Sequence, residues 1–141
     1  MDTMAADKKK FSDYIRLHTE DGHVISMEGE RELLKKAVVD FSLDLDQARG
    51  ILMHVAEDED ITLESDVNAH VKAYLQQIAN RRGGVTHRQF KSAVGMYTRM
   101  TGNALEPQDV KKRVKGLMER AKLHPRRSGI LLRTRRWYKK I

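Results

Sequence analysis

Residues 42–58, SLDLDQARGILMHVAED, decide the fold class. Asp44 followed three residues later by Gln47 is a reciprocal capping pair, in which each side chain satisfies an orphaned backbone donor at a helix start. Beyond it Ala48, Ile51, Leu52 and Val55 recur at the helical period and make one apolar face. The acidic run Glu57-Asp58-Glu59-Asp60 then ends the helix.

The same grammar extends in both directions. Upstream, Ser26 is the expected cap of a helix with Leu33, Leu34, Ala37, Val38 and Phe41 on its apolar side, broken at Ser42-Leu43. Phe11, Tyr14 and Ile15 mark a shorter helix ending near His18. Downstream, Thr62 is expected to cap a longer helix with Glu64 and Asp66 in its first turn, where the helix dipole favours anions. Val67, Val71, Tyr74, Leu75 and Ile78 form its stripe, and Gly83-Gly84 stops it.

Thr86 with Gln89 repeats the capping pair and opens a fifth helix, with Phe90, Val94 and Tyr97 inward and Gly102-Asn103 at its end. Pro107 takes the first position of a sixth, faced by Val110, Val114, Leu117 and Met118. Nothing between residues 10 and 123 alternates with period two for long enough to argue for a sheet. The expected fold is therefore all-α: a single compact bundle of about six helices over 1–124, followed by a basic C-terminal tail, 125–141, PRRSGILLRTRRWYKKI.

Composition agrees. A chain of 141 residues fits one compact domain with its own core. The absence of Cys excludes disulfides, Cys-ligated zinc, iron–sulfur clusters and thiol chemistry. Two Pro and nine Gly are too few for a sandwich or barrel. No apolar run approaches a membrane span, and the opening MDTMAADKKKF carries acids without an apolar stretch, so it is not read as a secretory signal. The expected location is cytoplasmic.

Charge is the strongest functional signal. The formal net charge is +7, yet residues 110–141 hold 13 Lys and Arg against Glu119 alone, leaving residues 1–109 net acidic. Such asymmetry points to docking on a polyanion, nucleic acid ahead of a membrane surface. Arg126, Arg127, Arg133, Arg135 and Arg136 offer planar forks for phosphate, and Lys139 and Lys140 extend them. Trp137 and Tyr138 offer faces on which bases can stack. On a continuous sixth helix, Lys111, Lys115 and Lys122 would share a side. The competing readings are a solvated terminus and an arm folded onto the chain's own acids, Glu57 to Asp60 with Glu64 and Asp66. Ile130-Leu131-Leu132 speaks against mere disorder.

Several helix starts share a branched apolar residue and then a hydroxyl cap: Val24-Ile25-Ser26, Ile61-Thr62 and Val85-Thr86. This resembles the end of a calcium-binding EF-hand loop. With Gly22 or Gly83 at the sixth position of such a loop, however, the first ligand position falls on Leu17 or Ile78, so these are degenerate turns that lack the first carboxylate. Residues 21–60, DGHVISMEGERELLKKAVVDFSLDLDQARGILMHVAEDED, resemble the tellurite-resistance TerB-like helical domain. The shared features are the Asp-Gly-x-Val turn, the Ser cap, acids at the helix start, and a Leu-rich helix followed by a short loop and a capped helix. The resemblance implies a bundle of packed helices that serves in protein interaction or holds a divalent cation, with Asp21, Glu28 and Glu30 in the acidic positions of the first turn. It does not extend to the basic tail, which on this alternative reading is a partner-docking peptide.

Other chemistry finds little support. His18 and His23 flank Asp21, and His54 precedes Glu57 by three, but no second Glu-x-x-His element complements that pair, and the histidines are read as surface residues. No nucleophile elbow or phosphate loop occurs. The chain is read as a non-catalytic module. Met53, Met96, Met100 and Met118, with Tyr97, could line an adaptable peptide groove but are read as core filler.

Overall fold

The local signals fix most helix ends. In the computed structural model, which describes residues 3–19, 22–129 and 133–141, the elements are α1 (Thr3–His18), β1 (Val24–Ile25), α2 (Met27–Asp40), α3 (Leu45–Asp58), β2 (Thr62–Leu63), α4 (Glu64–Ile78), β3 (Gly84–Val85), α5 (His87–Met100), α6 (Pro107–Arg120), β4 (His124–Pro125) and α7 (Arg136–Lys139). The fold is all-α. Ser26 caps α2 by accepting from the Gly29 N–H, and both reciprocal pairs close: Asp44 with Gln47 on α3, Thr86 with Gln89 on α5.

Among the described residues four two-residue strands interrupt the helices, too short to leave an alternating signature. β1 pairs with β2 in parallel, Val24 opposite Thr62 and Ile25 opposite Leu63. β3 pairs likewise with β4, Gly84 opposite His124 and Val85 opposite Pro125. Thr62 is therefore a strand residue and not a helix cap, and α4 begins at Glu64.

The helices gather into two units, Met1–Ser65 and Asp66–Ile141, each with a core of its own. Both follow one plan of helix, strand, helix, helix, strand, with corresponding elements after the first helix 60–62 residues apart. The apolar faces match position by position. Ala48, Leu52, Val55 and Ala56 of α3 are buried, and so are their counterparts Val110, Val114, Leu117 and Met118 of α6. The stops match too. Asp60 after α3 and Lys122 after α6 both adopt positive φ, so that the next amides, of Ile61 and Leu123, turn back to the carbonyls of Ala56 (2.7 Å) and Met118 (2.8 Å).

The turn into β3 is built on Asn80. Its Oδ1 accepts from the Arg82 and Gly84 amides at 3.0 and 2.8 Å, while Gly83 takes the positive φ of +79° that a side chain would resist.

The end of the chain belongs to the second unit. Ser128 and Thr134 form an antiparallel bridge, after which Trp137, Tyr138 and Ile141 pack against the core of Val67, Phe90 and Tyr97. The expected tail thus carries part of a hydrophobic cluster. Ile130, Leu131 and Leu132 lie outside the described residues.

Candidate polyanion interface

Dividing the charges by unit sharpens the asymmetry. The first unit holds 8 Lys and Arg against 16 Asp and Glu; the second holds 19 against 4, giving −8 and +15. The boundary falls at residue 65 and not at 109. Lys72, Arg81, Arg82, Arg88, Lys91 and Arg99 therefore belong with the basic end, although the density of charge after residue 110 hides them. A charge count per repeat would have found them.

Within this unit the candidate residues separate into two groups. Lys111, Lys122, Arg126, Arg127, Arg133, Arg135, Arg136, Lys139 and Lys140 are all exposed. None of them forms an ion pair among the described residues; the ion pairs found there involve Arg16 and Lys36. Short loops and the one-turn α7 present most of these side chains, because α6 stops before the left-handed Lys122 and Gly129 takes a φ of +131°.

Lys115, Trp137 and Tyr138 turn inward instead. The Trp137 ring lies flat on His87, centroids 4.6 Å apart and 12° from parallel, with Phe90 at 5.3 Å, and its Nε1–H donates to the Arg126 carbonyl at 3.0 Å. Lys115 Nζ stands 4.6 Å from the centre of the Tyr138 ring and donates to the Tyr138 carbonyl at 3.3 Å. Burial, then the charge of Glu119 and its hydrogen bond, push the Tyr138 phenol up to about 12. His87 is shifted the other way, below the usual imidazole range, by burial first and then by Lys91 and Lys111. These rings serve to seat the chain end and leave the cations outside.

The acidic run has partners in its own unit. Arg16 pairs with Asp58 at 3.3 Å and Glu59 at 3.1 Å. Glu64, four residues beyond that run, is 7% exposed, and its carboxylate accepts from the Met27 amide at 2.9 Å, closing the start of α2. No sequence rule for capping marks it, since the donor lies 37 residues away.

Of the residues the TerB-like resemblance implies for a cation, Glu28 and Glu30 stand in the first turn of α2, exposed and half-buried, and Asp21 lies outside the described residues. Among the described residues no three His, Asp or Glu side chains gather where they could hold a metal ion. Among the methionines, Met118 is buried, Met96 and Met100 are partly so, and Met53 is exposed. Among the described residues no helix is long and apolar enough to cross a membrane.

No protein-family model, curated protein or solved structure matches this chain.

Proposed function

We propose that this chain is a non-catalytic helical binding module whose basic second unit engages a polyanion, nucleic acid in particular. The observation that carries the reading is the exposed set Arg126, Arg127, Arg133, Arg135 and Arg136, unpaired among the described residues in a unit of net charge +15. Guanidinium forks match phosphate oxygens two at a time, and unneutralised cations on one unit release condensed counterions when they meet a nucleic-acid backbone. With Trp137 and Tyr138 engaged in packing, recognition rests on the backbone more than on base stacking, which favours duplex over single strand.

The test is an anisotropy titration of the full chain with duplex DNA, duplex RNA and single strands at about 100 mM salt, where counterion release still dominates. Replacing Arg126, Arg127, Arg133 and Arg135 by Ala spares the packed rings and should weaken binding at least about tenfold. Unchanged affinity in that variant removes the proposal. Vesicle flotation with anionic lipid distinguishes a membrane surface, the other polyanion these cations could meet.

A further inference from the structure

The two units share a plan but are finished differently. In the second, the surface between α5 and α6 is covered by the chain's own end: Trp137 and Ile141 close over His87, Phe90, Val94 and Lys111, leaving a cleft of about 130 Å³. The counterparts of those four residues in the first unit are Met27, Glu30, Leu34 and Arg49, and they line an open groove of about 570 Å³. Met27, Val38, Val39 and Leu45 are exposed along it, Val39 by 69%. Every exposed large apolar side chain among the described residues lies in the first unit. Bare apolar surface rimmed by polar groups marks an interaction site.

The covered copy indicates the shape of the missing occupant. Trp137 on α7 and Ile141 just past its end are four residues apart, and the turn is carried on by the Ile141 amide, which donates to the Tyr138 carbonyl at 3.1 Å, so both side chains line one cleft; on a full helix the same spacing puts two side chains on one face. The rim specifies its charge. Arg31, Lys35 and Arg49 border the groove with Glu30 the single acid, and none of the three cations is ion-paired among the described residues. The chain's own basic end is already committed to the second unit, and its lysines and arginines would meet these like charges.

We propose that the α2–α3 groove receives a short helical segment of a partner protein, bearing an aromatic and an aliphatic anchor four residues apart with acidic residues beside them. This mode lays an amphipathic helix into an apolar groove and reads it through its anchors.

The probe is a synthetic peptide with the sequence of residues 133–141 in which glutamate replaces every arginine and lysine, titrated into the isotope-labelled full chain and followed by amide chemical shifts. Saturable shifts are expected over residues 27–39 and 45–49, with a dissociation constant on the order of 100 µM, ordinary for so short a segment. Val38→Asp combined with Leu45→Asp should weaken binding at least about tenfold, and Arg49→Ala several-fold. These side chains are exposed, and unchanged amides at the first unit's own buried core, Phe11, Ile15 and Val55, serve as the folding check. The proposal fails if no shifts appear at about 1 mM peptide, or if the variants leave affinity intact. It fails equally if the shifts stay within 66–141, which would mean simple attraction to the basic unit, or if the groove amides shift with protein concentration alone, which would assign the face to a second copy of this chain.

Discussion

Asp60 and Lys122 hold left-handed backbone just past a helix end, a conformation that costs an L-residue with a side chain roughly 1–2 kcal/mol. Asp60→Gly and Lys122→Gly should each raise stability by about 1 kcal/mol, read as an increase in the denaturant midpoint. Glu64 makes the opposite case. Its carboxylate is buried and satisfies the first amide of α2, so Glu64→Ala should cost about 1–2 kcal/mol, measured the same way.

His87 gives a pH signature at the same scale. Its imidazole is held below its ordinary value, so the unfolded chain takes up a proton more readily than the folded one. Stability from this group is therefore full above about pH 6.5, the unfolded value, and is lost as pH falls through the depressed folded one. Chemical denaturation between pH 7.5 and 5 should show the loss, and His87→Phe, which keeps a ring under Trp137, should remove that part of the pH dependence.

At the scale of elements, α7 is too short to be stable alone and owes its place to what it covers. Trp137 is half-buried between His87 and Phe90, so Trp137→Ala should cost about 2 kcal/mol, less than the range for a fully buried indole. Its intrinsic fluorescence in the parent chain should report release of the segment before global unfolding. The helices themselves were legible from residues: Ser26, Asp44 with Gln47, Thr86 with Gln89, and Pro107 each stand at the start their chemistry predicts. The strands were not, because two residues cannot display a period. Thr62 shows the consequence: a hydroxyl residue before an apolar helix satisfies the rule for a cap, yet its amide donates to the His23 carbonyl across the β1–β2 pair.

For the whole molecule, opposite net charges on two units of one plan make the response to salt the decisive measurement. If about six of the exposed cations contact phosphates on duplex DNA, the log–log slope of affinity against salt should lie near −5, and each contact removed should reduce it by about one. The cations themselves were plain in the sequence. Their grouping was not, since the six between residues 72 and 99 join the basic end only once α4 and α5 are packed into the second unit.

The helical periods, the caps and the imbalance of charge are properties of neighbours along the chain, and short-range physics writes them directly into the order of residues. Three decisions needed the folded chain: that α3 and α6 occupy equivalent places in two separate cores, that Trp137 spends its faces on His87 and Phe90, and that Glu64 reaches back to Met27. Each joins groups separated by dozens of residues, and their meeting depends on how several helices bury their apolar sides together.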